Sequence, residues 1–99
     1  MPQPYKYDGP RSEAVLVRNR TRAEVRIEIP YRDVAGEIVK SSGVTVMQDL
    51  ILASVTDEGI DGSEARPDQL VEKREWARLE KRSSIRSMIT DRTIEVFSA

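Results

Sequence analysis

Two segments in the first third of the chain have the composition of β-strands. Ala23–Ile29 alternates Ala, Val and Ile with charged residues, which places the apolar side chains on one face of an extended chain. Ala14–Arg18 is a second run, rich in Val and Leu. Because the polar residues Asn19–Arg22 join the two runs, the sequence predicts a β-hairpin that ends at Pro30.

A second hairpin is predicted further along the chain. Glu37–Lys40 and Val44–Met47 flank Ser41–Gly43, and glycine supplies the left-handed conformation that a short connection needs. Met47–Val55 fits two alternatives, a strand that continues from Val44 or a helix with one apolar face. The density of β-branched residues and the nearby hairpin partner favour the strand.

The second half of the chain contains a run of helix-forming residues. Pro67 suits the first turn of a helix, and the run QLVEKREWARLEKR extends the predicted helix to about Thr90. Its apolar residues form no single stripe, because Trp76 and Leu79 point away from the others. Either the middle of the helix projects and these two side chains bind a partner, or a kink near Ser83–Ser84 lets both faces contact the core.

Together these elements predict an α+β fold. Thr93–Phe97 is a short strand at a sheet edge, so the domain is an antiparallel sheet of four or five strands with one long helix. This predicted domain spans residues 11–99. Residues 1–10 contain three prolines and form an extended arm, whose Tyr5 and Tyr7 lie on one side and could dock onto a neighbouring surface.

The chain has 99 residues and contains neither Cys nor His. This length supports one domain, and the composition excludes thiolate nucleophiles, imidazole acids and bases, disulfides and Cys/His zinc sites. Thr56–Ser63 matches three positions of a calcium loop, but Gly59 replaces a ligand and Asp68 stands where a bidentate Glu belongs. We therefore expect no catalytic residue, metal, cofactor or small-molecule substrate.

Charge is unevenly distributed along a chain whose net charge is −1. Residues 11–32 carry a net charge of +3, residues 33–68 carry −6 and residues 69–99 carry +2. Such segregation either neutralises itself within one fold or presents opposite patches to successive copies of the molecule. With 33% charged residues and one Trp, the predicted core is small, a condition that oligomerisation often compensates.

These patterns favour a non-enzymatic structural or assembly protein. It would be a small repeated component of a larger particle, such as a phage virion, and would act through protein–protein contacts as a homo-oligomer. The alternative is a small regulator or inhibitor that binds nucleic acid, or a nucleic-acid-handling complex, through an Arg-rich hairpin and a basic helix face. The slightly acidic net charge counts against direct binding to duplex DNA.

No apolar run reaches the length of a signal peptide or a membrane span, so we expect a cytoplasmic or virion location and no membrane partner. Partner binding is assigned to aromatic and apolar anchors and to basic residues of the arm, the first hairpin and the helix. The predicted partner-binding residues are Tyr5, Tyr7, Arg18, Arg20, Arg22, Arg74, Trp76, Arg78, Leu79, Lys81 and Arg82.

Overall fold

The computed structural model describes residues 3–55 and 66–98. Within these ranges the chain forms eight strands, two α-helices and one 3-10 turn, and neither helix is long and apolar enough to cross a membrane. In chain order the elements are β1 (Gln3–Pro4), the 3-10 turn (Arg11–Glu13), β2 (Ala14–Asn19), β3 (Val25–Pro30), β4 (Lys40–Ser41), β5 (Val44–Thr45), β6 (Met47–Leu52), β7 (Asp68–Glu72), α1 (Lys73–Leu79), α2 (Ser83–Thr90) and β8 (Ile94–Ser98).

The strands form two three-stranded sheets and one separate hairpin. In the first sheet β6 lies between β1 and β3, parallel to β1 and antiparallel to β3. In the second sheet β2 lies between β7 and β8 and is antiparallel to both. Strands β4 and β5 pair with each other in the two-stranded hairpin.

One apolar cluster joins the two sheets and both helices. Each sheet contributes the residues of its inner face, and α1 and α2 add the remaining large side chains. The buried members are Val17, Ile27, Ile29, Leu50, Leu52, Val71, Trp76, Leu79, Ile85 and Ile94. Since both three-stranded sheets and both helices supply this cluster, the described residues share one core.

The prediction of one long helix is wrong. Asp68–Glu72 forms strand β7, in which Val71 lies opposite Val15 and is completely buried. The helix-forming residues that follow make the short helix α1, and the extended backbone of Arg82 separates it from α2. Intrinsic helix propensity amounts to less than about 1 kcal/mol per residue, so pairing with β2 and burial of Val71 outweigh it.

The prediction of one sheet with four or five strands is also wrong, because β2 and β3 do not pair. They belong to different sheets, and the polar residues between them form a corner instead of a hairpin loop. The apolar alternation of β3 is present, with Ile27 and Ile29 buried, but β6 is its hydrogen-bonded partner. The periodicity defines which face of a strand is buried and carries no information about which strand lies beside it.

Other local predictions are confirmed. The second hairpin exists as β4 and β5, with a two-residue loop in which Ser42 and Gly43 have φ values of 52° and 81°. Two consecutive left-handed residues are the mark of a type I′ turn, which matches the twist of the paired strands. The ambiguous segment is the strand β6, and β8 lies at a sheet edge. The calcium-loop motif at 56–63 lies outside the described residues.

The corner between the two sheets is built on Asn19, which is completely buried. Its side-chain nitrogen lies 2.7, 3.2 and 2.9 Å from the carbonyl oxygens of Ala23, Leu52 and Ala53. Its side-chain oxygen accepts hydrogen bonds from the backbone N–H and the hydroxyl of Thr21, both at 2.8 Å. One side chain in β2 therefore holds the chain entering β3 and the end of β6.

Replacing Asn19 tests this role. We expect Asn19→Ala to lower the free energy of unfolding by roughly 2–4 kcal/mol, because buried carbonyls lose their donor and a polar corner becomes a void. Thr21→Ala, which removes one of the two hydrogen-bond donors to the Asn19 side-chain oxygen, should cost about 1 kcal/mol. Urea denaturation measures both. A loss below about 0.5 kcal/mol for Asn19→Ala would contradict the assignment.

Candidate protein interface

Exposed large apolar side chains concentrate in one segment of the described chain. Seven such residues are exposed, and five of them lie between positions 31 and 46, a region called here the 31–46 segment. They are Tyr31, Val34, Ile38, Val44 and Val46. Most large apolar residues elsewhere in the described chain are at least partly buried, so this clustering marks a candidate contact surface.

Backbone hydrogen bonds hold the 31–46 segment in a defined shape. The N–H of Tyr31 donates to the carbonyl of Val46 at 2.8 Å, and the N–H of Val46 donates to Val39 at 3.0 Å. Val39 in turn donates to the carbonyl of Tyr31 at 2.9 Å. Arg32 and Ile38 form an isolated antiparallel bridge. The exposed side chains therefore stand on an ordered antiparallel framework.

The tip that carries Val34 is a turn organised by Asp33. One carboxylate oxygen of Asp33 accepts hydrogen bonds from the backbone N–H groups of Ala35 at 2.9 Å and Glu37 at 3.1 Å. Gly36 has φ of 81°, a conformation that favours glycine. Val34 is fully exposed, so its side chain adds no apolar burial to the stability of the domain. The turn nevertheless fixes its position.

An ion pair fastens the base of the segment to α1. The Nε of Arg32 lies 2.7 Å from Oε2 of Glu75, and its Nη1 donates to the carbonyl of Gly36 at 3.1 Å. Glu75 is 6% exposed, and its Oε1 has no hydrogen-bond partner among the described residues. Arg78 adds a longer contact of 3.4 Å to Oε2. Arg32 is therefore the main compensation for this buried carboxylate.

A cleft of about 430 Å³ lies between the N-terminal residues, the 31–46 segment and α1. Four residues that the sequence predicted as partner contacts line it together: Tyr5, Tyr7, Arg74 and Arg78. Asp33 and Glu75 also line the cleft, so its wall contains both cations and carboxylates. This mixture of charges would suit polar contacts at the edge of an interface.

Tyr5 docks onto the domain that follows the arm, whereas the hydroxyl of Tyr7 bonds within the arm. The N–H of Tyr5 donates to the carbonyl of Asp49 at 2.8 Å, its ring packs against the apolar cluster, and its hydroxyl accepts a hydrogen bond from the N–H of Glu72 at 3.3 Å. The hydroxyl of Tyr7 donates to the carbonyl of Pro10 at 2.8 Å. Residues 3–5 thus extend the first sheet next to β6.

The three arginines predicted at a hairpin tip lie instead near the corner between the sheets. Arg18 is 3.3 Å from a carboxylate oxygen of Asp68 and lies over the ring of Phe97, 5.4 Å from its centre. Arg20 is 3.3 Å from Glu95. Arg22 is exposed. Two of the three guanidinium groups therefore already face a carboxylate of the same chain.

The predicted helix contacts are divided by the break between α1 and α2. Trp76 and Leu79 are 4% and 1% exposed, so both lie in the core, as in the second alternative for the predicted helix. Arg74, Arg78, Lys81 and Arg82 are exposed, but they span α1 and the connection to α2 and form no straight stripe. Arg82 donates to the carbonyl of Glu28 at 2.6 Å.

A second candidate surface, with one exposed apolar side chain among polar ones, is formed by α2 and the residues before it. Ile89 is 36% exposed and lines a shallow groove of about 410 Å³. The other lining residues are Glu80, Lys81, Arg86 and Thr90. Lys81 is the one residue of this groove that was predicted from the sequence. None of the exposed apolar residues of the 31–46 segment was predicted. The available indication was Val34 itself, a large apolar residue inside a turn that contains Asp33 and Gly36.

The chain is a small α+β domain with two candidate contact surfaces. They are the 31–46 segment, with its exposed apolar side chains, and the groove beside Ile89. Comparison with protein-family models, with curated proteins and with solved structures finds no match to the chain. No cluster of acidic side chains suited to a metal ion occurs within residues 3–55 and 66–98. The geometry of the two surfaces is therefore the basis for a functional hypothesis.

A first prediction concerns the pair that anchors the segment. Arg32→Met should destabilise the fold by about 2–3 kcal/mol, because it leaves the Glu75 carboxylate buried with one exposed cation nearby. Arg32→Met/Glu75→Met should be less destabilised than Arg32→Met alone, since no buried charge remains. The exposed pair Arg26 and Glu24 is the control, and Arg26→Met should cost much less stability than Arg32→Met. Equal stability of the single and double variants in urea denaturation would contradict the prediction.

A second prediction concerns the docking of Tyr5. Burial raises the pKa of the Tyr5 phenol above 10.0, and the hydrogen bond from Glu72 offsets part of this effect. The fold therefore favours the neutral phenol, a stabilisation that is complete below about pH 10 and disappears as pH rises through the folded-state pKa. Above about pH 10, Tyr5→Phe should lose stability less steeply with rising pH than the original chain does. Denaturation curves measured across that range check this, and parallel slopes would contradict it.

Proposed function

We propose that this chain is a non-enzymatic assembly domain that binds a second copy of itself, with the 31–46 segment as the contact surface. The observation that carries the proposal is the clustering of five exposed large apolar side chains on one hydrogen-bonded segment. Self-assembly is the behaviour expected of the repeated particle component that the sequence analysis favoured.

Val34 is the most exposed apolar residue of the 31–46 segment, so it has the most surface to bury in a contact. Its side chain is fully exposed in the isolated chain, and burying a valine stabilises an interface by about 1.5 kcal/mol or more. The hydrogen bonds to Asp33 hold the turn before any contact forms. A surface that is already ordered loses less conformational entropy on binding, so more of the burial energy contributes to affinity.

The charge pattern supports a second copy as the partner. The predicted choice was between neutralisation within one fold and opposite patches on successive copies. Arg18 and Arg20 are neutralised within the chain by Asp68 and Glu95. In contrast, Glu37, Lys81 and Arg86 are exposed and form no salt bridge with another described residue. These exposed charges are available for contact between copies.

The same pairing weakens the nucleic-acid alternative. A phosphate-binding surface needs cations that are free to replace counterions. Arg18 and Arg20 already have carboxylate partners, and the basic residues of the helical region are divided between α1 and the residues after it. Few of the basic residues that were predicted to bind phosphate therefore lie together on one surface free of acidic residues.

Sedimentation velocity over a series of protein concentrations tests the proposal. We expect the original chain to associate as concentration rises and Val34→Ser to weaken the association about tenfold or more, since it removes apolar burial at the contact. Val34→Ile is the matched control and should associate at least as strongly as the original chain.

The two variants should have the same melting temperature as the original chain, because Val34 is exposed. An original chain that stays monomeric up to about millimolar concentration, the weak end of specific binding, would refute the proposal. Equal association of Val34→Ser and the original chain would refute the role of this surface.

A further inference from the structure

The groove on α2 offers a surface complementary to the 31–46 segment. We propose that the contact between copies is head-to-tail: the turn carrying Val34 in one copy docks into the α2 groove beside Ile89 in the next. This inference rests on the proposed self-association and adds the receptor surface and the polarity of the assembly.

The inserting surface combines one apolar side chain with two carboxylates, and the charge of Arg32 at its base is paired with Glu75. Val34 stands at the tip, and Asp33 and Glu37 flank it at either end of the same turn. Both carboxylates are on exposed residues. One oxygen of Asp33 holds the backbone of the turn, so the position of its charge relative to Val34 is fixed.

The receiving surface combines one apolar side chain with mostly positive charge. Ile89 lines the groove, Lys81 and Arg86 lie at its sides, and Glu80 is the one acidic residue among its lining residues. The groove volume of about 410 Å³ is large enough to receive the side chain of Val34. An acidic apolar tip and a basic apolar groove are complementary in charge and in polarity, which directs one towards the other.

The two surfaces share no residue, and they lie on different elements. In the proposed head-to-tail arrangement each copy uses its tip on one neighbour and its groove on another, so the contact is heterologous. Such a contact leaves one tip and one groove free at the ends of every complex. The assembly therefore grows into a ring or a filament instead of stopping at a symmetric dimer.

The test uses two variants, each of which lacks one surface. Val34→Ser removes the tip and keeps the groove, whereas Lys81→Glu/Arg86→Glu reverses the groove charges and keeps the tip. Each variant alone should be monomeric at concentrations where the original chain forms large complexes. An equimolar mixture should form a 1:1 complex that does not grow, because one intact tip meets one intact groove.

A control with the same change in net charge is Arg11→Glu/Lys73→Glu, which reverses two exposed charges that lie in neither the 31–46 segment nor the α2 groove. It should assemble as the original chain does, and all variants should keep the original melting temperature. Analytical ultracentrifugation of single variants and of the mixture distinguishes the outcomes.

Three results would overturn the inference, and they differ from failure of the proposed function. If Lys81→Glu/Arg86→Glu assembles normally while Val34→Ser does not, the copies associate without the α2 groove. If both variants are monomeric and their mixture is also monomeric, the contact is symmetric and uses both surfaces of each copy. If the control is as defective as the groove variant, net charge and not the groove determines assembly. A monomeric original chain would instead refute self-association itself.

Discussion

The hydrogen bonds of the buried Asn19 side chain determine how the two sheets meet. Its amide nitrogen faces carbonyl oxygens at the start of β3 and the end of β6, while its own backbone belongs to β2 in the other sheet. An amide can donate and accept at the same time, so one side chain satisfies groups on several segments. Without it, the corner would bury polar backbone groups that have lost a partner, which opposes packing of the two inner faces on one core.

The sequence predicted local conformation well where side-chain periodicity or turn chemistry determines it. The alternation before Pro30, the glycine at position 43 and the β-branched residues between Val44 and Val55 each describe a property of a few neighbouring residues. The long helix was wrong because Asp68–Glu72 has helix-forming residues but pairs with β2, more than fifty positions earlier. Pairing over such distances leaves no trace in local composition. For the same reason the corner at Asn19 resembled a hairpin loop.

The candidate site was predicted in part. Lys81 lies in the α2 groove, and Tyr5, Tyr7, Arg74 and Arg78 meet in one cleft, although the sequence placed the tyrosines and the arginines on separate elements. Trp76 was ambiguous because helical spacing alone does not show which side faces the core, and the break before α2 lets both sides do so. The exposed apolar residues of the 31–46 segment were not predicted, because the exposure of a side chain depends on how the rest of the chain packs around it.

The position of β2 in the second sheet has a consequence for synthesis. Leu16 lies between Leu70 on one side and Phe97 on the other, so this early segment pairs with two segments made much later. During translation β2 therefore emerges with both edges unpaired, and the second sheet and its share of the core cannot close until β8 has left the ribosome. This sheet therefore folds only after its last strand has been made, and the open edges of β2 are exposed to wrong pairing until then.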